Sequence, residues 1–223
     1  FKVVVYFLMK NFKNIIIKGG TVDTKSFEKV TIENSIEISD HATIKADAFS
    51  GASFISDKAT FAIIDSIIES YGVRGFSFNN GGTLTLQDCE INSNSFERIL
   101  GKPFVLFKHD EGKSGEPIKI GEEAFYHADI VGPLEIPSFI DEVGKNAFAH
   151  CQYLNGSLIL NATTVKDYSF AYSAFDGELT LGSKINSFDQ TNSRFHGFEG
   201  CKFNKLTIEP KLAISIPEGM FYQ

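Results

Sequence analysis

Apolar residues along this chain recur in a short alternating motif rather than in helical stripes. The clearest example is residues 133–148. Leu134 and Ile136 flank Glu135 as a short strand does, Pro137 closes the strand, Ile140 and Val143 turn inward, and Gly144 lets the chain bend before Ala147 and Phe148. Such a segment cannot bury its apolar side alone, and the same design recurs before and after it. Apolar, any, apolar triplets fall at residues 15–17, 36–38, 61–63, 84–86, 105–107, 134–136, 158–160, 179–181 and 206–208.

Eight of these triplets follow an anchor phenylalanine by eight to twelve residues. The anchors are Phe27, Phe49, Phe76, Phe96, Phe125, Phe148, Phe170, Phe198 and Phe221, spaced 20 to 29 residues apart. A second apolar mark lies between triplet and anchor, at Ile44, Ile67, Ile91, Ile120, Val143, Val165, Ile185 and Ile216, and a small residue precedes several anchors, as at Ala48, Ala124 and Ala147. One short strand per period of this length predicts a leucine-rich-repeat solenoid, mostly β, with a curved parallel sheet of about nine short strands on the concave side. At about 4.8 Å per strand the stack extends roughly 40 Å. Irregular, turn or short helical segments are expected on the convex side, where the longest insertion, residues 109–117, carries Gly112, Gly115 and Pro117. Between Phe49 and Phe76, several apolar residues offer competing registers.

The motif Ile-x-x-Val/Ile-Gly-x-x-Ala-Phe followed by Leu-x-Ile-Pro resembles the BspA-like subclass of leucine-rich repeats, found in surface proteins of bacteria and parasitic protists. Residues 118–125 (IKIGEEAF), 134–137 (LEIP), 140–151 (IDEVGKNAFAHC) and 206–210 (LTIEP) carry the likeness. It is strongest from residue 118 onward. It implies a solenoid used for adhesion or protein recognition, and no catalytic residues come with it. The resulting organisation is an N-terminal cap or remnant repeat over 1–14 and a solenoid over 15–223. Phe221 is an anchor close to the last residue, so a fragment of a longer chain is expected.

Composition narrows the function. The 223 residues include 22 Phe, 7 Tyr and no Trp, an excess of one bulky type that fits a part used repeatedly. A net charge of −7 argues against phosphate-backbone binding, so no nucleic-acid partner is expected. The opening apolar run, residues 1–8, is too short to span a bilayer, and no direct membrane insertion is expected. Cys89, Cys151 and Cys201 are too far apart for a disulfide framework or a metal knuckle. The last two sit three residues after anchors, as packing residues would.

In the predicted sheet the middle triplet residue faces outward. The candidate partner-binding row is therefore Glu37, Thr85, Leu106, Glu135, Ile159, Thr180 and Thr207, together with Ile16 and Ala62, a mixed surface suited to a protein partner. Thr and Ile also favour strands for their own sake. His127 and His150 follow successive anchors by two residues, with Tyr172 next in line, too few ligands for a metal site. The acids Asp40, Asp47 and Asp57, or Asp141 and Glu142, do not recur at one repeat phase, which weighs against a carbohydrate-cleaving parallel β-helix. Asn155 and Asn161 head glycosylation sequons. The reading is a non-catalytic protein-binding module at the cell surface or secreted, without cofactor or metal. The alternative is a cytoplasmic scaffold, which unpaired cysteines favour.

Overall fold

A computed structural model describes residues 2–3, 11–113, 117–189, 194–210 and 214–222. All nine triplets are β-strands, and the chain coils so that each lies beside the next in parallel. Residues 1 and 4–10, most of the expected N-terminal cap, lie outside the described residues.

The triplet strands form two sheets rather than one. Asn11–Lys18, Thr31–Ser39, Thr60–Ile64, Thr83–Gln87 and Phe104–Lys108 make the first. Leu134–Ile136, Leu158–Leu160, Glu178–Leu181 and Lys205–Ile208 make the second. The break has a chemical reason. Leu134 N–H donates forward to Ser157, so Pro133 and Glu135 are the residues turned back toward Phe104–Lys108, and Pro133 has no N–H to give. Among the described residues the last strand of the first sheet makes an isolated bridge, Phe104 to Val131, with the segment that leads into the second.

The opposite side is more regular than expected. Six of the eight second apolar marks, Ile44, Ile67, Ile91, Ile120, Val143 and Val165, belong to a continuous parallel sheet of nine strands among the described residues, two to four residues long, running from Lys2–Val3 to Ser187–Phe188. No helix occurs among the described residues. In this sheet the inward residue of Ile67–Ile68 is Ile68, and Ile67 faces out at 39% exposure. Phe188 pairs with Val165 in the slot expected for Ile185, which is buried just before the strand. Ile216 is in no strand and is 39% exposed.

A third side is built from turns. Residues two before and two after the anchor have positive φ at Phe27, Phe49, Phe96, Phe125, Phe148 and Phe170, as at Glu123 (56°) and His127 (53°) around Phe125, and Asn146 (54°) and His150 (61°) around Phe148. At Phe27, Phe96, Phe125 and Phe148 this alternation aims three N–H groups per turn at the following coil. Glu123, Phe125 and His127 donate to Lys145, Ala147 and Ala149; Asn146, Phe148 and His150 donate to Asp167, Ser169 and Ala171. The anchor rings stack behind these bonds. Phe96, Phe125 and Phe148 lie 4.9 Å apart within 8° of parallel, and Phe170 and Phe198 continue the column at 5.4 and 5.6 Å. Each fully buried Phe contributes about 1.5–3 kcal/mol of transfer free energy.

The same criterion corrects one anchor. Tyr71 and Gly75 carry the positive φ values, and Val73 N–H donates to Ser95, so Val73 holds the anchor slot. Phe76 sits three residues further on, equivalent to Ala52 and Ile99. Its ring packs edge-on against Phe49 and Phe61, in the space beside the smaller Val73. Phe221 stacks on Phe198 at 6.0 Å but is 43% exposed, and Leu206 and Ile208 are 42% and 44% exposed, because no described strand follows theirs. Gly144 serves close approach rather than bending, since a Cβ there would lie 2.6 Å from the carbonyl carbon of Gly121 in the coil before.

The slot three residues after the anchor explains two cysteines. Cys151 Sγ donates to Phe125 O at 3.2 Å, Ser173 Oγ to Phe148 O at 2.6 Å and Cys201 Sγ to Phe170 O at 3.1 Å. Burial pushes both thiols up to about 12. Because Ser173 already performs this role, Cys151→Ser is expected to stay within about 1 kcal/mol of wild type in urea denaturation. Cys151→Ala is expected to cost about 1–2 kcal/mol through the lost bond and the small cavity.

Candidate binding faces

The predicted outward row exists as two rows. In the first sheet Ile16, Glu37, Ala62, Thr85 and Leu106 stand opposite one another in strict register, and in the second Glu135, Ile159, Thr180 and Thr207 do. Their neighbours along each strand point into the core, as the buried pairs Ile36 with Ile38 and Leu158 with Leu160 show. Apolar members of the rows are open to solvent: Ile16 at 66%, Leu106 at 46% and Ile159 at 39%. Phe104, at 50%, adds an aromatic that the triplet rule missed, because it precedes its triplet by one residue.

Glu178 sits beside the second row, where it accepts from Thr207 Oγ1 and pairs with Lys205 Nζ at 3.1 Å. The Thr207 hydroxyl, followed by the Lys205 ammonium, lowers its carboxyl below the usual range. The row is thus locally charged at one end and apolar at Ile159.

On the turn side, His127, His150 and Tyr172 occupy the positive-φ slot after successive anchors. Their rings stack at 4.8 and 4.9 Å, with Tyr126 edge-on to both imidazoles. Tyr172 Oη donates to Glu199, and this bond is the main reason its phenol is pushed up to about 12. Face-to-face imidazoles aim their ring nitrogens sideways, a geometry for packing rather than for converging on an ion.

The acids partly overturn expectation. Asp40, Asp47 and Asp57 lie at different points of their coils, but Asp40, Asp65 and Asp88 do recur at one phase, two residues after their triplets, and His109 is next in that line. Asp65 and Asp88 have φ of 49° and 51°, and the coil bonds of this corner run from His41 N to Asp65 O and from Asp65 N to Gln87 O. A three-residue group of His, Cys, Asp and Glu able to hold a metal ion is absent among the described residues. Asn155 is exposed, and Asn161 is half-buried with its side-chain oxygen against Gly182.

Residues 114–223 match the family model described as BspA type Leucine rich repeat region, in six copies. These residues carry BspA-type leucine-rich repeats. The BspA-type repeats run on without a break in the nine-stranded sheet from the coils before residue 114, which keep the same turn geometry with Val73 in an anchor slot. No curated protein and no solved structure matches the chain.

Desolvation, and then the neighbouring His127, lower the pKa of His150 below the ordinary histidine value. A lowered folded pKa means that the unfolded chain binds the proton more readily. The contribution to stability is therefore complete above the unfolded value near 6.5 and is lost as pH falls through the folded pKa. NMR titration is expected to place the His150 midpoint below that of a free histidine, and His127→Ala to raise it.

Proposed function

We propose that this solenoid is a non-catalytic protein-recognition module acting at a cell surface or after secretion, and that its partner docks on the outward rows of the triplet sheets. The observation that carries the reading is the register. Glu37, Thr85 and Leu106 in one sheet and Glu135, Ile159, Thr180 and Thr207 in the other form continuous rows of mixed apolar and polar side chains on a paired backbone. Paired strands hold those side chains at fixed spacing, so a partner meets a preorganised surface and little ordering free energy is lost on binding. Leu106, Ile159 and Phe104 supply apolar contact, and Glu and Thr supply a polar rim. The net charge of −7 favours a protein partner over nucleic acid. The family resemblance makes adhesion the expected use.

An intracellular assembly scaffold is the second reading, favoured by three buried, unpaired cysteines. A variant carrying Leu106→Glu, Ile159→Lys and Thr180→Glu decides where the partner binds. These side chains are not part of the core, so circular dichroism is expected to remain that of wild type. Capture of a partner from surface extracts is expected to be lost in this variant. Capture that is unchanged contradicts docking on these rows, and a partner found only in cytosolic extracts favours the scaffold.

A further inference from the structure

The nine-stranded sheet carries a second surface that the outward rows do not involve. Over its outer face residues 109–113 fold back and, with Phe139, wall an open groove of about 1030 Å3. The fold-back is held at two points. His109 Nδ1 lies 2.5 Å from Asp88 Oδ1 with its ring stacked on Phe139 at 5.3 Å, and Lys113 Nζ lies 2.8 Å from Asp65 Oδ2. The floor is the sheet's own outward row of Ile67, Glu90, Lys119 and Glu142, opposite one another in register.

The charge in this groove is unbalanced. Six carboxylates line it against two lysines and two imidazoles, and Lys113 and His109 are already committed to Asp65 and Asp88. Of the other four, Glu90 accepts from Asn92 Nδ2 at 3.1 Å, Asp141 accepts from Thr163 Oγ1 at 3.3 Å and Glu142 lies 3.7 Å from Lys166 Nζ at the groove's edge, while the Glu122 carboxylate has no hydrogen-bond or ion-pair partner among the described residues. Beside these acids stand the apolar surfaces of Ile67, Ile118 and Phe139, against which an aliphatic stem can lie while its charged head meets a carboxylate. The volume lies just above the range of about 300–1,000 Å3 for small-molecule pockets. The four floor strands span roughly 14 Å, about four residues of extended chain.

We propose that this groove docks an extended, lysine- or arginine-bearing segment of a protein partner. Charge complementarity selects that occupant. The floor strands are hydrogen-bonded on both sides, so recognition goes through side chains and not through addition of a strand. The proposal does not rest on the outward rows of the triplet sheets, and the two are tested by different variants.

The test is fluorescence anisotropy with a labelled eight-residue peptide of alternating Lys and Ala, and with its Glu and Ala counterpart, against the full chain. Saturable binding of the basic peptide that weakens with added salt is expected, with none for the acidic one. The variant Glu90→Gln, Glu122→Gln, Glu142→Gln is expected to weaken binding by about tenfold or more. Two comparisons run beside it: Glu28→Gln, Glu33→Gln, Glu218→Gln, which removes the same charge elsewhere, and the row variant with Leu106→Glu, Ile159→Lys and Thr180→Glu. Both are expected to bind within about twofold of wild type. Absence of saturable binding, or equal weakening by the two glutamine variants, overturns the proposal.

Discussion

In the turns around Phe27, Phe96, Phe125 and Phe148, three N–H groups at alternate positions donate to the following coil, and the residues two before and two after each of these anchors adopt positive φ. A left-handed conformation costs a non-glycine residue roughly 1–2 kcal/mol. Lys25, Arg98, Glu123, His127 and Tyr172 all adopt it, so the cost is met in coil after coil. Bonds to the next coil, each worth about 1 kcal/mol net, and the stacked rings behind them offset it. No coil can obtain these bonds by itself, which makes the turn the place where each repeat depends on its neighbour.

Much of the local chemistry follows from that turn. The residue before the anchor is small, Ala48, Gly72, Ala124 or Ala147, because it is pressed into the coil, and a Cβ at Gly72 would lie 3.0 Å from Glu69 O. The slot three residues beyond the anchor admits a hydroxyl or a thiol to bond the carbonyl of the preceding anchor. The slot two residues beyond it projects outward, so its occupants form a surface column, of which His127, His150 and Tyr172 are the stacked part. Binding faces then arise where side chains are released from these duties, on the outward rows of the strands.

The triplet strands were legible because alternation over three residues is a direct image of the strand's two-residue period. The opposite sheet was not, since strands of two residues such as Thr43–Ile44 and Thr164–Val165 are too short to display any period. Phe76 passed for an anchor on size alone, whereas Val73 owns the slot through backbone conformation and hydrogen bonding, which side-chain bulk does not report. The line of Asp40, Asp65, Asp88 and His109 was hidden because coil lengths vary. Counted from the anchors these residues drift, and counted from the triplets they coincide. The groove beside them depends on where the fold-back at His109 comes to rest, a tertiary contact without any local signal.

If each coil is held only by its neighbours, one complete coil can be removed without disturbing the rest. Deleting residues 149–170 joins Phe148 to Ala171 and brings Leu134–Ile136 beside Glu178–Leu181 with anchor, thiol slot and strand all in phase. The deletion variant is expected to keep β-rich circular dichroism and a single cooperative unfolding transition at reduced stability. Loss of cooperative unfolding, while a deletion of equal length placed out of phase behaves no worse, would contradict the repeat register on which the whole account stands.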